Sequence, residues 1–461
     1  MRPIPAPTNA NTFPTMTSTA SVHRPRSFGF LARFPLRSLC GVAVIAALAL
    51  VGGAGCDKPS SKANKPANPL EAAALARVRA AGFPVTLEEL NAWYPEVPAA
   101  ENAAVLYAEA FAAMAPVKPT DTSFLERNRS VLPKLHEAGL RTRCRFPVDC
   151  TGGMRASLPH LSKFRPAGTL LTQTAIARSR MRQPAEAVEL LLDAVRLANA
   201  LEAEPILVSQ LIRSGILGMV AQAAEEVVGS GGVSPQDLVR LQDALVDTEK
   251  RLSELRIVAG ELPFGLGIFG STPPEMKLAL ENLDEGLQKE DTKLKEYVLS
   301  KKVPADRAEY VIQLDLAREM LSRGDGQRMA AIQSLREGAA TAQRQGWLIT
   351  PTLVPGLARG LERVMEARSR IRVSVVGIAV ERHRAASQRK VPLALSSLSP
   401  EWIGTLPTDP FDERPLRYKR LPSGGYVVYS IGPDQQDNGG RVRPPMAGDV
   451  PNYDVTFSVA K

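Results

Sequence analysis

The chain has 461 residues, enough for two or three domains, and a formal net charge of +9. Five arginines and no acidic residue lie in the first 55 residues, so the rest of the chain carries only +4. Because the other basic residues are matched by acids, this charge excludes the broad basic surface of a nucleic-acid-binding protein. Only 5% of the residues are aromatic, which favours helices over an all-β sandwich.

The N-terminal region has the order of an export signal. An arginine-containing stretch ends at Arg37, and an apolar run of 13 residues follows from Leu39 to Val51. This run suits the apolar core of a signal peptide but is shorter than the roughly 20 residues of a membrane-spanning helix. Small residues then lead to Cys56, so residues 1–55 are predicted to be a signal peptide.

The sequence Gly52-Gly-Ala-Gly-Cys56 resembles the lipobox of bacterial lipoproteins, in which the cysteine is acylated and the preceding peptide bond is cleaved. Gly53 departs from that family, which usually has a larger aliphatic residue there. The resemblance implies lipidation of Cys56 and anchoring to the cell envelope, at either the inner or the outer membrane. The alternatives are an uncleaved anchor and an ordinary cleavage site. Residues 56–68 are polar and are predicted to be a flexible tether.

Two cysteines remain after the signal peptide, Cys144 and Cys150, with Pro147 between them. Outside the cytoplasm two thiols this close in sequence most often form a disulfide, and the proline helps the chain to turn back. A disulfide between Cys144 and Cys150 is therefore predicted. The alternatives are two free thiols, or a metal site that would include His136 or His160, whose spacing matches no zinc pattern.

Helical periodicity runs through residues 69–350, which are predicted to form a helical domain. Thr86 and Glu89 have the spacing of a capping box that starts a helix. The segment Ile206–Val228 is apolar around most of its circumference and should lie at the centre. Residues 170–200 resemble one tetratricopeptide hairpin, but no second copy follows at a fixed period. The predicted fold class is mainly α, an irregular helical bundle or a helical-repeat-like array.

Two segments are predicted to interrupt the helices. The stretch 259–275 contains several glycines and prolines and is predicted to be an irregular loop that exposes the apolar segment Phe264–Phe269. The stretch 349–356 is predicted to be a second loop, followed by a helix from Gly356 to about Arg389. A strand is the alternative for the β-branched part of that helix, residues 371–380.

Residues 351–461 are predicted to form a C-terminal helix plus a small α+β module. The segments Leu416–Arg420 and Tyr426–Ile431 are predicted strands, and Pro-Ser-Gly-Gly at 422–425 joins them as an antiparallel hairpin. The segment Tyr453–Val459 alternates apolar and polar residues, which is typical of a half-buried strand.

The last part of this module resembles the globular part of the major pseudopilins of type II secretion. The matching sequences are Leu406-Pro-Thr-Asp-Pro-Phe-Asp, Pro415-Leu-Arg-Tyr and Tyr429-Ser-Ile-Gly-Pro-Asp-Gln-Gln-Asp-Asn-Gly-Gly. Pseudopilins begin with an assembly helix directly after a prepilin cleavage site, whereas this segment follows a lipobox and a long helical region. The chain is therefore not expected to polymerise as a pseudopilin.

In the pseudopilin family the last loop binds a calcium ion. The resemblance implies that Asp434, Asp437 and Asp449 are calcium ligands, and hard carboxylate and carbonyl oxygens suit that ion. The alternative is a loop of glycine and aspartate residues that is stabilised by side-chain-to-backbone hydrogen bonds without an ion.

The sequence lacks the common catalytic motifs. It has no His-Glu-x-x-His zinc motif, no Gly-x-Ser-x-Gly elbow and no glycine-rich phosphate loop. Ser387 and Lys390 fit Ser-x-x-Lys, but the companion Lys-Thr-Gly is absent. The resulting prediction is a non-enzymatic envelope lipoprotein that is a scaffold for a protein partner. The alternative is an envelope hydrolase or other enzyme with an unrecognised site between the helical and C-terminal domains.

Overall fold

The computed structural model describes residues 68–116, 123–283, 291–442 and 453–460. Across these ranges the protein is predominantly helical, and a three-stranded antiparallel sheet lies near the C-terminus. The predicted fold class, mainly α with a small C-terminal module that contains an antiparallel hairpin, is confirmed. The predicted signal peptide and nearly all of the predicted tether lie outside the described residues.

The helices of the first half are short at first and then become longer: α1 (Pro69–Ala80), α2 (Leu87–Trp93), α3 (Ala103–Ala113), α4 (Phe124–Arg127), α5 (Leu132–Gly139), α6 (Leu161–Arg180) and α7 (Pro184–Asn199). The helices of the second half are α8 (Leu207–Gly229), α9 (Pro235–Lys250), α10 (Glu254–Phe269), α11 (Pro273–Leu283), α12 (Asp291–Leu299), α13 (Val303–Ser322), α14 (Arg328–Arg344) and α15 (Ile349–Ala386), and α8 and α15 are the longest in the described part of the chain.

Side-chain caps fix several helix starts. The Thr86 hydroxyl accepts a hydrogen bond from Glu89 N at 3.1 Å, and the Glu89 carboxylate accepts one from Val85 N at 2.7 Å. The predicted capping box at the start of α2 is therefore confirmed. Ser234 caps α9 in a similar way by accepting a hydrogen bond from Asp237 N.

The helix α8 lies at the centre of the body and packs against α6, α7 and α15. By length and composition it could cross a membrane, but 67% of its most apolar window is buried inside the fold. It is therefore the core helix that the apolar segment Ile206–Val228 predicts. The hairpin predicted for residues 170–200 is formed by α6 and α7.

The helix α15 connects the helical body to the C-terminal sheet. It contacts α8, α9 and α14 as well as two strands of the sheet. A Cβ atom on Gly377 would lie 2.1 Å from a ring carbon of Phe457, so the glycine lets the sheet approach the helix. The Tyr426 hydroxyl donates to the Gly377 carbonyl at 2.9 Å. Since residues 371–380 are helical, the strand alternative for them is wrong.

The sheet consists of β1 (Arg417–Arg420), β2 (Tyr426–Ser430) and β3 (Val455–Val459) in that spatial order. Both pairings are antiparallel. Every residue of β2 is buried, whereas β3 alternates buried and partly exposed residues, because one face of an edge strand packs on the helices. The predicted hairpin and the predicted half-buried last strand are confirmed.

Two predicted loops are wrong. The helix α10 continues through most of the stretch 259–275, and Phe264 and Phe269 are only 6% and 8% exposed. The predicted exposed apolar patch therefore does not exist. The stretch 349–356 is the first part of α15, which begins at Ile349 and contains Pro355. Both predictions took glycine and proline as helix breakers, whereas tertiary packing keeps these segments helical.

The glycines of α10 serve close packing. A Cβ atom on Gly260 would lie 1.7 Å from the carbonyl oxygen of Pro205, and one on Gly265 would lie 2.2 Å from the Tyr310 hydroxyl. Side chains at these two positions would push α10 away from the segment before α8 and from α13. The same residues that weaken a helix in isolation therefore allow it to enter the core.

Candidate functional site

The structure describes the two cysteines predicted to form a disulfide but not the predicted lipidation site. Cys56 lies outside the described residues. The Cys144 and Cys150 thiols are not bonded to each other in the structure, and the disulfide stays a prediction. Burial, with a smaller effect from the Glu204 charge, raises the pKa of Cys144 well above its usual range and that of Cys150 to about 11. At neutral pH both thiols are therefore protonated and are weak nucleophiles.

Two of the predicted calcium ligands lie in the loop after β2, and Asp449 lies outside the described residues. Asp434 Oδ1 accepts a hydrogen bond from Gln436 N at 3.1 Å, and Asp437 Oδ1 accepts one from Gly439 N at 2.9 Å. Both aspartates thus form local turns with the backbone two residues ahead. These contacts are compatible with either alternative, and calcium binding stays a prediction.

Sequence reasoning missed Asp454, which holds the same loop against β3. Its buried carboxylate accepts hydrogen bonds from the backbone N–H groups of Asn438, Gly440 and Arg441 at 3.2, 2.6 and 3.1 Å. Burial raises the pKa of Asp454, although these three hydrogen bonds oppose that shift. The position directly before a strand gives no sequence signal for this contact.

His136 lies beside two carboxylates of α7, Glu189 and Asp193, with potential ligand atoms within 4.8 Å of one another. Both carboxylates already have guanidinium partners. Arg196 lies 3.0 Å from Glu189 and 2.6 Å from Asp193, and Arg240 lies 2.5 Å from Glu189. A metal ion would have to displace these cations, so this cluster is an ion-pair group rather than a metal site.

A buried carboxylate, Glu204, precedes α8 and collects polar side chains. His160 Nε2 lies 3.0 Å from one carboxylate oxygen, and the Ser209 hydroxyl donates to the other at 2.5 Å. Phe146 stacks on the imidazole with ring centroids 4.3 Å apart. Because the serine donates to the carboxylate and not to the histidine, the group orders the loop and does not form a nucleophile–base pair.

Gln210 in the first turn of α8 fixes the backbone of that loop. Its Nε2 donates to the carbonyl oxygens of Leu201 and Glu204, both at 2.8 Å. These two carbonyls flank Glu202, whose side chain is 33% exposed. The loop therefore presents one acidic side chain, Glu202, from a rigid backbone.

Three arginines surround Glu202, and we call the four side chains the arginine corner: Glu202, Arg213, Arg251 and Arg256. Arg213 is 1% exposed and donates to Arg251 O at 3.1 Å and to Asn199 Oδ1 at 3.0 Å. The same oxygen of Glu202 lies 3.9 Å from Arg213 and 3.3 Å from Arg251. Burial, together with the charges of Arg251 and Arg256, lowers the pKa of Arg213 to about 10.

Arg256 completes the corner from α10. Its guanidinium donates to Ala203 O at 3.0 Å and lies over the Trp93 ring, 4.6 Å from the centroid. Asp247 pairs with Arg251 at 2.6 Å. The corner therefore brings together three cationic side chains, and within the described ranges Glu202 and Asp247 are the carboxylates that pair with them.

A second group of arginines lies between α9, α10, α14 and α15, and its charge is balanced by an equal number of carboxylates. We call it the closed network, and it consists of three acidic and three basic side chains: Glu249, Glu254, Asp325, Arg328, Arg368 and Arg372. The buried Arg368 contacts Glu249 at 2.6 Å and Glu254 at 3.0 Å. Burial raises the pKa of Glu249, but the charges of Arg368 and Arg372 outweigh this effect and lower it below its usual value.

Comparison with protein-family models, with curated proteins and with solved structures gives no match to the chain. The arginine corner was not predicted from the sequence. Its members come from the loop before α8, from α8 itself and from the region between α9 and α10, and a single arginine on a helix usually indicates a solvated face. Only the packing of these elements brings the three guanidinium groups together.

Proposed function

We propose that the chain is a non-enzymatic envelope lipoprotein whose helical body binds a protein partner. A lipid on Cys56 would hold the protein at the membrane, and the polar segment up to Asn68 would tether the body. The observation that carries the proposal is the arginine corner, where cationic side chains with few acidic partners reach a partly exposed surface. Arginine is enriched where protein interfaces bind most tightly.

The rigidity of the surroundings supports this proposal. Arg256 is held by Ala203 and Trp93, and Arg213 is held by Asn199 and Arg251 O. A surface that is already ordered loses little conformational entropy when a partner binds. The closed network, which joins α9 and α10 to α15, stiffens the support of the corner further.

The alternative, an envelope enzyme, would place its site between the helical body and the C-terminal module. Direct contacts occupy this junction. Glu225 accepts hydrogen bonds from the backbone N and the hydroxyl of Ser458 at 2.9 and 2.8 Å, and Gly377 lies against the Phe457 ring. Contacts of this kind favour a structural joint over a substrate-binding cleft.

The proposal includes a Cys144–Cys150 disulfide that forms after export. The loop between them is held independently of any bond, because Asn102 Oδ1 accepts from Arg145 N at 2.9 Å and Asn91 Oδ1 accepts from Cys150 N at 3.0 Å. Mass spectrometry of exported, alkylated protein should show both cysteines protected from alkylation. Two alkylated cysteines would remove the disulfide from the proposal.

The proposal also includes a calcium ion bound by Asp434, Asp437 and Asp449. We expect calcium to raise the melting temperature of the purified lipoprotein relative to chelator. A variant that carries Asp434→Asn and Asp437→Asn should lose this difference, since two of the three carboxylates are gone. Identical melting with calcium and with chelator in the unsubstituted protein would contradict calcium binding.

Partner binding is tested by crosslinking the tagged full-length protein in native membranes and identifying the captured proteins. A double variant with Arg251→Gln and Arg256→Gln is compared with Arg180→Gln, which removes an exposed arginine that pairs with Glu226 outside the corner. One protein should be captured by the wild type and by the control, and about ten-fold less by the double variant. Equal capture by all three would contradict a role for the corner.

A further inference from the structure

We propose that the arginine corner is a carboxylate-binding site, at which a ligand carboxylate takes the place of Glu202 between Arg213 and Arg251. In one respect the inference rests on the proposed function: an acidic segment of the partner protein would supply the carboxylate. The chemistry of the site itself depends only on the residues of this chain.

The charge of the buried Arg213 is poorly compensated. A buried cation is stabilised by a directly bonded carboxylate, as Arg368 is in the closed network. Arg213 is more deeply buried, yet the oxygen of Glu202 lies 3.9 Å from it, beyond hydrogen-bonding distance. Its two terminal nitrogens donate hydrogen bonds to neutral oxygens of Arg251 and Asn199. Among the described residues, Arg213 thus has no carboxylate within hydrogen-bonding distance.

The donors of Arg213 are not fully used. Its Nε has no hydrogen-bond partner among the described residues, although the atom is buried, and a buried donor without an acceptor is costly. The atom that faces Glu202 is Nη2, which carries two N–H groups and donates one hydrogen bond, to Asn199 Oδ1. A ligand oxygen that lies closer than the 3.9 Å of Glu202 would accept the second hydrogen bond of Nη2 and compensate the charge of the guanidinium.

Glu202 contacts the arginines and is also partly exposed to solvent. Its carboxylate is bound by Arg251 at 3.3 Å and lies on a side chain that is one-third exposed. It is therefore an internal carboxylate in contact with solvent, and it shows which chemical group the arginines accept. Guanidinium groups bind carboxylates through paired N–H donors, so a ligand carboxylate can make the same contacts at shorter distances.

The site is accessible from solvent. Arg251, Arg256 and the Glu202 side chain are all partly exposed, so a solute can reach them. Gln210 holds the carbonyls on either side of Glu202, so the loop stays in place when its side chain moves. A ligand carboxylate would therefore displace the Glu202 side chain and leave these backbone hydrogen bonds intact.

The experiment is isothermal titration of the purified full-length lipoprotein in detergent with capped tri-glutamate, at fixed ionic strength. Capped tri-glutamine is the neutral control peptide. The variants are Glu202→Gln, the double variant Arg251→Gln with Arg256→Gln, and the control Arg180→Gln. Each variant is first checked for an unchanged circular dichroism spectrum.

We expect saturable binding of tri-glutamate, and none of tri-glutamine, to the wild type and to the control. The double variant should bind about ten-fold more weakly, and Glu202→Gln about ten-fold more tightly, because the competing internal carboxylate is gone. A gain in affinity cannot result from misfolding. Equal affinity in all four proteins, or no saturable binding to the wild type, would overturn the proposal.

The result is distinguishable from that of the partner experiment. Capture of one protein that depends on the corner, without tri-glutamate binding, would leave the proposed function and remove the carboxylate site. Tri-glutamate binding with equal partner capture by all variants would keep the site and remove the corner from partner binding.

Discussion

The closed network and the arginine corner are two groups of buried or partly buried arginines that lie close together in the same helical body, and they differ in their acidic partners. In the closed network each arginine has a carboxylate within 3.2 Å. In the corner, Arg213 has only a distant carboxylate and Arg256 donates to a carbonyl. The comparison suggests that the first group stabilises the fold and that the second retains capacity for a ligand.

The largest loss of stability is expected when a substitution breaks the closed network. In Arg368→Met the carboxylates of Glu249 and Glu254 lose a shared cation while they remain buried. We expect the free energy of unfolding to fall by about 3–5 kcal/mol. Urea denaturation followed by circular dichroism measures this change. The control Arg180→Met, at an exposed ion pair, should cost less than about 1 kcal/mol.

A smaller effect is expected for the corresponding change in the corner. Arg213→Met removes a buried cation that has no close carboxylate, together with two hydrogen bonds to neutral oxygens. The lost hydrogen bonds and the relieved charge burial oppose each other, so we expect a loss of about 1–2 kcal/mol. If the same urea experiment gave a loss as large as that of Arg368→Met, the distinction between the two groups would fail.

The smallest effect concerns Glu261, a carboxylate that pairs with no arginine in the described part of the chain. It accepts a hydrogen bond from Leu207 N at 3.3 Å, and burial raises its pKa from 4.5 to about 7. The folded state therefore binds the proton of the Glu261 carboxyl more tightly than the unfolded state does. The stabilisation from this difference is fully present below about pH 4.5 and is lost as the pH rises through 7.

The variant Glu261→Gln removes that dependence. Relative to the wild type, its free energy of unfolding should increase between pH 5 and pH 8 by about 1 kcal/mol, a value reduced for partial exposure to solvent. Urea denaturation at both pH values measures the difference. A constant difference between the two proteins across this range would contradict the raised pKa.

Local signals predicted much of the fold. The capping box at Thr86, the apolar core helix at Ile206–Val228 and the hairpin of β1 and β2 each depend on residues that are close in sequence. By contrast, the stretch 259–275, which includes most of α10, is predicted to be a loop because its glycines and prolines weaken an isolated helix. The close approach of Gly260 to Pro205 explains them, and that approach exists only in the packed structure.

The candidate site could not be predicted for a related reason. Arg213, Arg251 and Glu202 are far enough apart in sequence that no pattern connects them, and a single charged residue in a helical region gives no sign of a binding site. Of the residues that the sequence did indicate, Asp434 and Asp437 contact the backbone of their own loop and are not members of the corner. Charge balance among distant side chains is a property of the folded chain.

The proposed function depends on export and on a lipid on Cys56, and its most direct test is mass spectrometry of the mature N-terminus after purification from native membranes. We predict a first residue of Cys56 with a diacylglyceryl mass on its thiol, in the membrane fraction. A soluble cytosolic protein that retains the stretch Leu39–Val51 and an unmodified thiol would contradict the account.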